Sequence, residues 1–175
     1  VGEPTGMQPA VCEKGLLVLD CSTHGKSGHA ARNEGINALY KATETIEALR
    51  TFEFPLASDL LGKVKLTVTQ IQAGTQHNVI PDRCDFVVDV RTNDRYTNAE
   101  AVEILKSRFP EVEITPRSLR LNSSAISMQH PFVRRALLAG YKPFGSPTLS
   151  DQALMPFPSV KMGPGDSSRS HTADE

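Results

Sequence analysis

No apolar run in the chain is long enough to cross a bilayer. The longest, such as residues 15–19, fall far short of the roughly 18 residues a span requires. An excess of one charge sign is missing as well. With 19 Lys and Arg against 20 Asp and Glu, the net charge is -1, which gives no field to gather phosphate backbones or anionic lipid. Neither nucleic acid nor a membrane is therefore an expected partner. The three cysteines, Cys12, Cys21 and Cys84, are odd in number and lack CxxC spacing, and no charged-then-apolar signal segment opens the sequence. A reducing cytoplasm without disulfides is the expected setting. Cys21 and Cys84 lie in apolar runs and read as buried, inert thiols.

What is present suffices for a core. Of 175 residues, 39% are hydrophobic and 22% charged, which suits a globular chain of one domain, or one domain plus part of a second. Residues 14–23 are rich in Leu and Val and read as a strand running into a small, polar loop from His24 to Gly28. From Gly35 to Arg50, Ile36, Leu39, Tyr40, Ala42, Ile46 and Leu49 recur at helical steps. Residues 63–73 alternate as a half-buried strand with one slip in register near Gln70. After a turn-rich stretch from Gly74 to Pro81, residues 83–92 form a second strand that pairs antiparallel with the first. Asn98 is expected to cap a helix through Ala99, Val102, Leu105 and Phe109; Pro110 stops it, and residues 112–121 read as a fourth strand.

The order βαββαβ predicts an α+β fold, a four-stranded antiparallel sheet with two helices on one face. The open face and an exposed helix edge make a two-fold dimer the default expectation. Beyond about Ser123 the sequence is rich in Gly, Pro and Ser, with a short helix opened by Pro131 and ended by Gly140. The first dozen residues look equally loop-like. Both ends thus read as edges of another domain into which the central sheet is inserted, with segments 1–13 and 123–175 flanking a domain at 14–122.

Five histidines, His24, His29, His77, His130 and His171, are the natural candidates for chemistry, though none pairs at helical HxxxH spacing. Taken singly each reads as a surface or structural residue. Their surroundings are more specific: Gly2-Glu3-Pro4-Thr5, Gly28-His29-Ala30-Ala31, Asn78-Val79-Ile80-Pro81, Asp89-Val90-Arg91, and Gly163-Pro164-Gly165 ahead of His171. In this order and over the whole chain, the set resembles the acetylornithine deacetylase, succinyl-diaminopimelate desuccinylase and aminoacylase family of two-metal hydrolases.

The resemblance implies a dimerisation or lid domain flanked by incomplete pieces of an α/β catalytic domain. It implies two zinc ions, or cobalt, in the intact enzyme, with Glu3 a ligand of one and His171 a ligand of the other, the latter oriented by Asp174 or Glu175. It makes His29 the donor that reaches the partner subunit's active site and meets the oxyanion. Asn78 and Arg91 would hold the substrate, Arg91 through its fork of donors to a carboxylate, and Gly163 and Gly165 would let backbone approach it. The family's His-x-Asp and Glu-Glu motifs occur nowhere in the chain. The chain is thus expected to be a central piece of a longer enzyme, inactive alone and holding no zinc firmly.

Within that family the wording is most like acetylornithine deacetylase, giving an N-acyl amino acid such as N-acetylornithine in arginine biosynthesis as the small-molecule partner, in a homodimer formed through the lid. A desuccinylase or an aminoacyl-dipeptidase would use the same residues. From another class, the alternative is a non-catalytic module that only pairs chains.

Overall fold

The computed structural model describes residues 1–166. The chain order is β1 (Ala10–Glu13), β2 (Leu17–His24), β3 (Gly28–His29), α1 (Ala38–Thr51), β4 (Lys65–Ala73), β5 (Val79–Ile80), β6 (Arg83–Arg91), α2 (Asn98–Arg108), β7 (Glu113–Pro116), β8 (Ser124–Ala125), α3 (Pro131–Leu138) and β9 (Phe144–Ser146), followed by a 3-10 turn at Asp151–Leu154. The main sheet runs β4-β6-β2-β7 and every neighbouring pair is antiparallel. The expected split βαββαβ sheet is therefore present.

One face of that sheet is apolar. Leu17, Leu19 and Cys21 of β2, Cys84, Phe86, Val88 and Val90 of β6, and Ile114 of β7 pack against Ala38, Ala42 and Leu49 of α1 and Ala101, Val102 and Leu105 of α2. Phe52, Phe54, Phe109 and Tyr96 close one side of this core with edge-on ring contacts at centroid distances of 5.2 to 6.0 Å. The alternate residues form an open, polar face. Asp20 holds Arg117 there, Asp85 holds Arg83, and Asp89 holds Arg91.

The register slip near Gln70 is a β-bulge between Val68 and Gln70. Several boundaries differ from expectation for identifiable reasons. The first helix begins at Ala38 rather than Gly35 because Ile36 spends both backbone groups on Lys26, after which the Asn37 side chain accepts from Leu39 N. The second helix is capped by Thr97, in a reciprocal arrangement with Glu100. Asn98 instead is buried, donating to Leu16 O and Leu121 O and accepting from Thr92 Oγ1. The fourth strand stops at Pro116, which has no N–H to donate; Arg117 N makes one last bond to Val18 O.

The first dozen residues are not all loop. Ala10–Glu13 is a fully buried strand at the centre of a second sheet, antiparallel to β8 and parallel to β9. Val11, Ile126 and Val133 make its apolar core. As expected, Pro131 opens α3 and Gly140, at φ +86°, follows its end; His130 supplies the cap by accepting from Phe132 N. No described helix is long and apolar enough to cross a membrane.

Candidate functional site

The residues singled out in the sequence fall into three places. His29 and Asn78 meet at one tip. The two short strands β3 and β5 pair His29 with Val79, and Ala30 N donates to Asn78 O at 2.9 Å. The glycine-rich approach is fixed, because a Cβ at Gly25 would sit 2.0 Å from Ile36 O. Within the tip, His29 Nδ1 accepts from Ala31 N at 3.1 Å. In the neutral ring the proton then sits on Nε2, so the exposed edge of His29 is a hydrogen-bond donor. The half-buried Asn78 amide has no hydrogen-bond partner among the described residues.

Arg91 lies elsewhere. It ends β6, whereas the tip precedes Arg83 at the start of that strand. Nine residues at about 3.3 Å each place these ends roughly 26 Å apart. The Arg91 end adjoins the second sheet, since Gly15 N donates to Thr92 O and Lys14 N to Ser146 O. Its guanidinium grips Asp89 with two bonds, Nε to Oδ1 at 2.7 Å and Nη2 to Oδ2 at 2.9 Å.

The third place is a backbone clasp. Thr5 N and Met7 N both donate to Gly163 O, Gly6 N donates to Gly165 O, and Gly163 N donates to Thr5 Oγ1. A Cβ on Gly163 would lie 2.6 Å from Glu3 O, and Gly165 has φ +87°. Close packing on Glu3 thus accounts for Gly163, and the left-handed backbone for Gly165. The first and last motifs, far apart in sequence, are neighbours in space. His171, with Asp174 and Glu175, lies outside the described residues.

Sequence reasoning missed a fully buried ion pair. Lys161 Nζ lies 3.3 Å from Glu13 Oε2, with the two side chains 2% and 1% exposed. Thr148 O accepts from Lys161, and Ser150 Oγ donates to Glu13 Oε2. The available signal was a lysine inside the apolar run Val160 to Met162, a position that demands a buried partner. Of the cysteines, burial pushes the Cys12 thiol up to about 11 and Cys21 to about 12.

Residues 11–114 match the peptidase dimerisation domain. The chain belongs to this family. The dimerisation domain and its flanks are 29% identical over 195 aligned positions to a putative LysW-lysine/LysW-ornithine hydrolase of Aeropyrum pernix, covering 100% of this chain and 50% of that protein. An acetylornithine deacetylase of Myxococcus xanthus is 32% identical over 98 residues, 52% of this chain and 26% of its own length. Succinyl-diaminopimelate desuccinylase 1 of Alteromonas mediterranea is 28% identical over 122 residues, 66% of this chain and 31% of its own. The chain spans about half the length of the curated relatives that it matches end to end. Among solved structures, aminopeptidase PepT of Bacillus cereus superposes with a TM-score of 0.66 at 14% identity, over 93% of this chain and 47% of that one, which establishes the shared fold.

Proposed function

We propose that these residues are the lid and adjoining segments, 14–122 with 1–13 and 123–175, of an amidohydrolase that removes the acyl group from an N-acyl amino acid, N-acetylornithine being one such substrate, and that its active site is built from two subunits. The observation that carries this reading is the separation of His29 and Asn78 from Arg91 along one strand. Side chains roughly 26 Å apart cannot close on one small molecule. A second copy removes the difficulty.

In the main sheet β4 and β7 are the edges, and β4 is the longer, with nine residues against four. Beside it an apolar groove of about 280 Å³ runs between α1 and β4, lined by Ile46, Leu49, Leu66 and Val68. A strand that pairs with its own copy about a two-fold axis must run antiparallel. The Lys65 end of one β4 then lies beside the Ala73 end of the other. Because β4 leads from Ala73 toward Asn78, while Lys65 pairs with Arg91, the partner's tip comes alongside this chain's Arg91.

In that arrangement Arg91 holds the substrate carboxylate. The partner tip delivers a histidine whose Nε2–H donates to the carbonyl oxygen as it gains charge, and an asparagine amide free to bind beside it. Among the described residues no three His, Cys, Asp or Glu side chains come together. They do not fit a zinc pair by themselves, and Glu3 is the one expected ligand among them. The test is His29→Ala in the full-length enzyme. Turnover should fall about 10²- to 10³-fold with metal content unchanged, as for loss of one oxyanion donor. Unaltered turnover would remove the role.

A further inference from the structure

Arg91 is not the only cation at its end of the sheet. In the β4–β6 ladder Lys65 stands directly opposite Arg91, and Thr67 opposite Asp89. Directly opposed residues share a face, with Cβ atoms roughly 5 Å apart. That face is the open one, since the intervening Leu66 and Val90 point to the core. Lys14, at the crossing between the sheets, lies close enough for Lys65 to help burial lower its pKa, and its ammonium donates to Lys63 O at 2.6 Å. Nearby Lys63 is neutralised by Glu53. Lys65 has no ion pair or hydrogen bond among the described residues.

Lys65 therefore stands opposite Arg91 and close to Lys14, and Asp89 pairs with Arg91, which leaves Lys65 without a counter-charge in an ion pair among the described residues. Asp89 occupies Arg91 Nε and one Nη2 hydrogen, which fixes the guanidinium flat and leaves its far edge, with Nη1, as the open fork. Lys65 projects from the next strand toward the same side.

We propose that Lys65 is a second anion-binding residue of this site, acting beside Arg91 to take a ligand that carries two carboxylates. This rests on the reading of Arg91 as the substrate's carboxylate holder and extends it. Arg91 offers planar, two-point recognition to one carboxylate, and the flexible ammonium of Lys65 is a point charge for the other. For an N-acyl amino acid, the second carboxylate is at the end of the acyl group. Asp89 is a positioning residue, and its value lies in the orientation it gives Arg91.

Because all four side chains belong to one chain, a first test needs no partner. Succinate, acetate and sulfate are titrated into the chain and followed by amide and side-chain NMR shifts. Succinate should perturb the Lys65 and Arg91 neighbourhood at concentrations several-fold below acetate, and Lys65→Met should abolish that difference while Lys65→Arg keeps it. Sulfate matching succinate, or Lys65→Met leaving the succinate response unchanged, overturns the proposal.

In the full-length enzyme, Lys65→Met should raise KM for a succinylated amino acid about tenfold or more and that for its acetyl analogue no more than about twofold, with kcat preserved. Equal losses on both substrates contradict it. Arg91→Lys separates the two readings. If it leaves both substrates untouched, the Arg91 assignment fails, whatever Lys65 does. If it weakens both and Lys65→Met weakens neither, only the Lys65 proposal falls.

Discussion

The two sheets of this chain are stabilised in different ways. The main sheet buries eighteen residues in one apolar cluster, from Leu17 to Ile114, and keeps its charged pairs on the open face. The smaller sheet buries Val11, Ile126 and Val133 and places a complete ion pair, Glu13 with Lys161, in its interior. Around it Leu138 stays 88% exposed and Phe157 61%. The first region is held by area removed from water; the second is small in apolar area and is tied together by the backbone clasp between residues 5–7 and 163–165, with a buried ion pair whose Glu13 Oε1 has no hydrogen-bond partner among the described residues. The main sheet thus forms a body that carries the β3–β5 tip at one end, and the clasp beside the smaller sheet holds the Glu3 segment against Gly163.

Substitutions sharpen that contrast. The largest loss is expected at Phe86, fully buried at the centre of the main sheet: Phe86→Ala should cost about 3–5 kcal/mol, read by urea unfolding. A loss under about 1 kcal/mol would mean that the apolar cluster is not what holds this region. Lys161→Met should cost nearly as much, about 3–5 kcal/mol, because it strands the Glu13 carboxylate. Pairing it with Glu13→Gln should restore most of the stability. If the double variant is no better than the single one, the polar account of the smaller sheet is wrong. Thr97→Ala removes the cap of α2 and should cost about 1 kcal/mol with the core intact.

The smallest effect belongs to the open face. The Arg117 hydrogen bonds hold the Asp20 carboxyl below its ordinary range, and Ser22 does the same for Asp85. A depressed folded pKa contributes stability that is present above the ordinary carboxylate pKa and lost as pH falls through the folded value. Asp20→Asn should therefore lower stability slightly at neutral pH, by a small amount because the pair is exposed, and leave it unchanged below the folded pKa, so that the acid limb flattens by that same small amount.

Periodicity made the main sheet legible. Its strands alternate, its helices carry apolar stripes, and even the bulge before Gln70 shows as a break in alternation. The smaller sheet was illegible for the opposite reason. Ala10–Glu13 pairs with residues more than a hundred positions away, so no local pattern marks it as a strand. In the sequence Asn98 reads as the cap because that residue type also caps helices, whereas Thr97, three positions before Glu100, carries the capping-box spacing, and the buried bonds of Asn98 give it a different role. Of the proposed site, the motifs pointed to His29, Asn78, Arg91 and Glu3. That His29 and Asn78 lie at one end of a strand and Arg91 at the other needed the ladder register, as did the place of Lys65, which belongs to no motif.

The most direct measurement of the shared-site account is subunit complementation in the full-length enzyme. His29→Ala and Arg91→Ala chains, each inactive as homodimers, are mixed under exchange. If one chain supplies Arg91 and the other His29, about half the dimers become mixed and each has one intact site, so activity should return to about a quarter of wild type. If His29 and Arg91 serve the same site from one chain, every site in the mixture still lacks one residue. Activity would then stay at the level of the single variants, contradicting the account.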